Sequence, residues 1–183
     1  MPSKQSEAVR RRWEASRLAM EQPGIDPPDD ESWGDLTAEP RQVDYLEIEA
    51  GRRPGMWAVP KGASADRVLL CMHGGGFVGG SIYTHRKMFG HLAKAAGTRA
   101  LLVSYPLLPE GAYPVPAGEV MTAYRWLLDQ GITAGHIAFA GDSVGGWLAL
   151  TVQLRAREQG PAAAGRDDAD LAMDRPGCQR RIV

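Results

Sequence analysis

The chain has 183 residues, 44% hydrophobic and 23% charged, the length and balance of one ordinary soluble globular domain with a real core. Its 21 basic and 22 acidic residues nearly cancel, which excludes a strong electrostatic case for nucleic acid or an anionic membrane as partner. The polar start MPSKQSEAVRRR has no signal-peptide core, no apolar run approaches bilayer length, and the two cysteines, Cys71 and Cys178, make neither a disulfide framework nor a zinc site; a cytoplasmic protein without metal or organic cofactor is expected.

In chain order, the Arg-rich stretch from Pro2 to about Met20 reads as a helix with Val9, Trp13 and Met20 on one face. The Pro- and Asp-rich EQPGIDPPDDESWGD that follows reads as a loop. From about Val43 to Gln159, strand and helix signals alternate. VDYLEI and MWAV form an expected hairpin, and RVLLCM a buried strand. A helix from His85 to Ala96 stops at Gly97, and ALLVSY is the next buried strand. GEVMTAYRWLLDQG is a helix with Val120, Tyr124, Leu127 and Leu128 inward, ended by Gly131. HIAFAG is a fifth strand, followed at once by the helical LALTVQLRARE. Alternation of this kind, with uninterrupted apolar strands, predicts an α/β fold: a mostly parallel sheet with helices on both faces.

The loop HGGGFVGG after the third strand admits two readings. Gly74, Gly76 and Gly79 have the spacing of a dinucleotide-binding turn. That site needs an acidic residue at the end of the next strand, which here reads Val103-Ser104-Tyr105, and no Asp or Glu occurs from Gly80 to Pro109. The other reading is an oxyanion loop, and it requires a nucleophile elbow later in the chain. HIAFAGDSVGG supplies one: Gly141-Asp142-Ser143-Val144-Gly145 lies between a strand and a helix. A serine at the apex of such a turn needs small residues two before and two after it, and the helix N-terminus behind it favours developing negative charge.

HGGGF (His73 to Phe77), YPLLPE with YPVP (Tyr105 to Pro116) and GDSVGG (Gly141 to Gly146) resemble the hormone-sensitive-lipase-like branch of the α/β-hydrolase esterases. The resemblance spans about Val43 to Gln159 and implies an α/β-hydrolase fold. It implies Ser143 as the catalytic nucleophile, with the amides of Gly75, Gly76 and Val144 as the oxyanion hole. His73, Gly74, Gly141, Asp142 and Gly145 are then structural parts of the motifs. It further implies a cap-type segment over residues 1–40 and the first part of the hydrolase core over 41–159. The implied reaction is hydrolysis of a small ester or lactone through an acyl-enzyme, with no cofactor.

The remaining triad members are the difficulty. In this fold the order is Ser, acid, His, yet His73, His85, His91 and His136 all precede Ser143. His136 is expected in solvent at the far end of the sheet and His91 on a helix. His85 lies on the active-site side, with nothing adjacent in sequence to orient it. Asp167, Asp168, Asp170 and Asp174 sit in a segment, 160–183, too poor in clustered apolar residues for a strand and expected to be an irregular, out-of-frame tail. The expectation is therefore a hydrolase truncated after the elbow helix, with HIAFAG as a bare sheet edge and activity impaired or lost. The alternatives are a non-catalytic hydrolase-like protein and, behind it, a nucleotide-binding module.

Overall fold

A computed structural model describes residues 3–22, 24 and 30–159; the expected out-of-frame tail lies outside the described residues. The first element is α1 (Lys4–Glu21), capped by the Ser3 side chain, which accepts from the Ser6 amide. A 3-10 helix (Asp30–Leu36) leads to the hairpin of β1 (Val43–Ala50) and β2 (Arg53–Pro60). Then come β3 (Ser64–Met72), α2 (Ile82–Ala96), β4 (Thr98–Val103), α3 (Val115–Asp129), β5 (Ile137–Gly141) and α4 (Val144–Gln159).

The strands form one sheet in the order β1-β2-β4-β3-β5. β3 pairs in parallel with β4 and β5, while β2 is antiparallel to both β1 and β4, so β2 alone runs against the others. The mostly parallel α/β sheet expected from the alternation is this one, with the hairpin added at its edge.

The central strands read as unbroken apolar runs because both their faces are covered. Leu70 and Met72 of β3, with Leu101 and Val103 of β4, face Val120, Met121 and Leu127 of α3 and Leu148 and Val152 of α4. The alternate residues Cys71, Ala100 and Leu102 face Ile82, Phe89 and Ala93 of α2. Each fully buried Leu, Val or Phe contributes about 1.5–3 kcal/mol by leaving water. In α3, Val120 and Leu127 are buried as expected; Tyr124 and Leu128 pack against the cluster half-buried.

Helix starts differ from the sequence reading. α2 begins at Ile82 rather than His85, because Ser81 and Thr84 close a reciprocal capping box ahead of it. α3 begins at Val115, with a proline in its first turn. Both helices end where glycines were expected to stop them; Gly97 has φ 65° and Gly131 φ 85°.

α1 departs from its expected packing. Val9, Trp13 and Met20 share a face, but Trp13 is 61% exposed and Met20 87%. The more buried side carries Ala8, Val9, Arg12, Ala15, Ser16 and Ala19. Small residues let the helix approach a rim, whereas the apolar periodicity alone says nothing about where a neighbour stands. Among the described residues β5 pairs with β3, at the end of the sheet opposite the hairpin.

Candidate active site

β5 and α4 meet at Ser143, whose φ is 50°, the left-handed region that a residue with a Cβ enters only under strain. The turn is compressed on both sides. A side chain at Gly141 would run into the Gly145 backbone, and one at Gly145 into the carbonyls of Met72 and His73 at the end of β3. Inside the turn, the Gly145 amide donates to the Asp142 carbonyl (2.8 Å) and the Trp147 amide to the Ser143 carbonyl (3.2 Å). The side chain of Ser143 is thereby presented at the N-terminus of α4.

The glycine loop after β3 stands against this elbow. Gly75 (φ 122°) passes so close to the Gly79 carbonyl that only glycine fits. Its own carbonyl accepts from the amides of Val78 and Gly79, both at 3.0 Å. Among the described residues, none of the hydrogen bonds of either loop is donated by the amides of Gly75, Gly76 or Val144. The Gly74 amide donates to Asp142 Oδ1 at 2.9 Å, which bolts the loop to the elbow. A carboxylate seated at the first glycine repels a pyrophosphate, and this disfavours the dinucleotide reading of the same glycines.

Behind the loop, His73 is buried. Its Nδ1 donates to the Gly74 carbonyl at 2.8 Å, and its ring stacks on Tyr105 at 4.3 Å. The Tyr105 hydroxyl donates to the His73 carbonyl at 2.5 Å. Burial lowers the pKa of His73, and the neighbouring His85 adds to that. His73 is thus a strand-end brace, as its motif position implied.

His85 is placed differently from its sequence reading. It is buried, with Nδ1 2.7 Å from Thr84 Oγ1 and Nε2 3.3 Å from Asp142 Oδ1. Nothing adjacent in sequence orients this ring, apart from Thr84, but the fold brings Asp142 to it. The Thr84 hydroxyl beside Nδ1 also lies 2.9 Å from the Ser81 carbonyl, to which it donates, and Nε2 stands beside both Asp142 Oδ1 and, at 3.4 Å, the Gly74 amide. Burial pushes the Asp142 carboxyl upward, yet the hydrogen bond and charge of His85 and the Gly74 amide outweigh it and hold the group below the ordinary carboxylate value. His91 reaches the Ala38 carbonyl (2.9 Å), and His136 lies 3.2 Å from Asp66, 40% exposed, away from the site.

Ser143, Asp142, His85, Gly75 and Val78 line a cavity of about 440 Å³, closed on its other side by Arg12, Trp13 and Ser16 of α1 and by Trp33. Trp13 meets Trp33 edge-on at 6.0 Å, and the Arg12 guanidinium lies 5.1 Å over Trp33. The segment carrying Trp33 is held on α2: Gly34 packs against the Thr84 backbone, Glu39 takes both guanidinium nitrogens of Arg86 (2.7 and 3.0 Å), and Asp35 lies 3.6 Å from Lys87. Among the described residues no cluster of His, Cys, Asp or Glu has the makings of a metal site. None of the helices there is long and apolar enough to cross a membrane.

Known proteins match this arrangement. A family profile described as an alpha/beta hydrolase fold covers residues 69–169. An acetyl-hydrolase of Streptomyces hygroscopicus is 36% identical over 138 residues, 73% of this chain and 44% of the relative. An ethyl acetate hydrolase of Pseudomonas putida is 37% identical over 128 residues, 64% of this chain and 40% of the relative. The crystal structure of an esterase from the bacterial hormone-sensitive lipase family superposes with a TM-score of 0.72 and 34% identity, over 87% of this chain and 55% of that one. The chain thus spans less than half the length of these two relatives and about half of that structure.

Proposed function

The chain belongs to the hormone-sensitive-lipase-like branch of the α/β-hydrolase family, and on that premise we propose that it carries the nucleophile and oxyanion site of a serine ester hydrolase. Ser143 Oγ attacks the ester carbonyl. The oxyanion that forms takes hydrogen bonds from the amides of Gly75, Gly76 and Val144, each donor worth about 3–4 kcal/mol in such sites. The N-terminus of α4 adds a favourable dipole. The alcohol leaves with a proton, and water then releases the acid from the acyl-serine. The observation that carries this reading is the pairing of a strained Ser143 (φ 50°) with a glycine loop bolted to it through Gly74 and Asp142.

A substrate of small acyl and alcohol parts suits a cavity of about 440 Å³ walled by Val78, Trp13 and Trp33. An ester such as that named for the Pseudomonas putida relative, or a small lactone, is of this size.

The proton of Ser143 needs an acceptor. Of the chain's four histidines only His85 lines the cavity, and both its ring nitrogens are engaged. Acylation with no base placed beside Ser143 is expected to be slow, since loss of a triad member costs about 10⁴-fold or more in rate. The test is p-nitrophenyl acetate with the full chain and its Ser143→Ala variant, with and without added imidazole as a soluble base. The reading expects one Ser143-dependent equivalent of p-nitrophenolate, released faster as imidazole is raised. Equal release by both proteins at every imidazole concentration refutes it.

A further inference from the structure

One oxygen of Asp142 meets two elements far apart in the chain. It accepts the Gly74 amide at 2.9 Å and faces His85 Nε2 at 3.3 Å. Asp142 directly precedes Ser143, and Gly74 directly precedes Gly75, so this oxygen joins the two banks between which an oxyanion would lie. His85 is itself held: Nδ1 sits 2.7 Å from Thr84 Oγ1, and Thr84 is locked by the Ser81 capping box at the start of α2. With both nitrogens committed, the ring is not placed to take the proton of Ser143.

We infer that His85 is a positioning residue: by gripping Asp142 it sets the spacing between the glycine loop and the elbow, and its donated proton screens a carboxylate that otherwise opposes negative charge in the site. This rests on the hydrolase reading above. A carboxylate beside an oxyanion hole is an electrostatic liability unless a donor neutralises it. Asp142 is retained at the site by its bond to Gly74, and His85 is the side chain that offsets the charge. The other groups near this pair are the His73 ring, 5.7 Å from that of His85, the Tyr105 phenol, and Arg12 across the cavity. The lowered pKa of Asp142, which His85 helps to set against the effect of burial, agrees with the geometry.

The experiment uses the full chain with His85→Leu, His85→Gln and Ser143→Ala. The probe is a p-nitrophenyl alkylphosphonate, whose attachment to Ser143 is followed by mass spectrometry. In parallel, NMR follows the titration of the Asp142 carboxyl carbon and the hydrogen exchange of the Gly74 amide, neither of which needs turnover. His85→Leu is expected to slow labelling about 100-fold, the scale of a misplacement near 1 Å. It should also raise the Asp142 titration and speed Gly74 exchange. His85→Gln, whose amide N–H still reaches the carboxylate, should recover most of the labelling rate and the Gly74 protection. Glutamine as damaging as leucine, or no movement of Asp142 and Gly74 in the leucine variant, overturns the inference. If labelling of the parent chain matches Ser143→Ala, the hydrolase reading fails, while the Asp142 and Gly74 signals still decide the role of His85. Should His85→Leu fail to fold, the cycle of His85→Gln with Asp142→Asn replaces it. Losses no greater in the double variant than in the worse single one support a unit, and multiplicative losses refute it.

Discussion

Replacing Ser143 by glycine and by alanine separates the chemistry of the elbow from its strain. Both variants remove the hydroxyl, and Ser143 is exposed, so the methyl of alanine packs against little. They differ in the left-handed backbone at φ 50°, which costs a residue with a Cβ about 1–2 kcal/mol and glycine almost nothing. Against this, glycine loses about 0.4–1 kcal/mol through the greater freedom of its unfolded chain. The balance makes Ser143→Gly more stable than Ser143→Ala by about 1 kcal/mol, which for a chain of this size is about 2–4 °C in Tm. Thermal unfolding followed by circular dichroism measures it. A Ser143→Gly variant no more stable than Ser143→Ala would show that the elbow stores no strain.

Three further outcomes are expected. Gly145→Ala, whose methyl would meet the Met72 and His73 carbonyls, should lower stability by about 1–3 kcal/mol and displace the elbow; urea unfolding reads the first and serine labelling the second. Asp142 is held below the unfolded carboxylate value of about 3.9, so its contribution to stability is whole above that pH and is lost as pH falls through the lower folded value. Acid unfolding of Asp142→Asn should accordingly be shallower below about pH 4 than that of the parent. Tyr45, raised to about 12 by burial and by Glu39 against the opposing Arg86, holds its proton more tightly when folded. The stability it lends is whole below about pH 10 and fades as the folded group titrates, which an ultraviolet difference titration against Tyr45→Phe detects.

Much of this fold is legible in local pattern. The runs RVLLCM and ALLVSY read as doubly covered strands because neighbours on both faces demand apolar side chains at every position. The elbow reads from five residues because its crowding excludes anything larger at Gly141 and Gly145. The start of α2 at Ile82 is set by the Ser81–Thr84 capping box, a signal that is local in the sequence. The link from His85 to Asp142 has no local signature, since it exists only once β3 and β5 lie side by side. The acid before the nucleophile was the sole hint. The exposure of Met20 and the turn of Trp13 toward Trp33 are illegible for a related reason: periodicity marks an apolar face but not the partner that meets it.

The order of the strands also governs when the site comes into being during folding. β3, which carries the glycine loop, pairs with β5, which carries the elbow, and the Gly74–Asp142 bond closes across a sequence separation of 68. The hairpin and the local turns of α2 and α3 form over short separations, whereas this closure bears a larger entropy and follows the docking of α2, β4 and α3 between its ends. A nascent or partly unfolded chain therefore keeps local helical structure but leaves the Ser143 turn unsupported. The serine acquires its reactive geometry as one of the last acts of assembly, and its labelling reports on completion of the whole sheet rather than on the elbow alone.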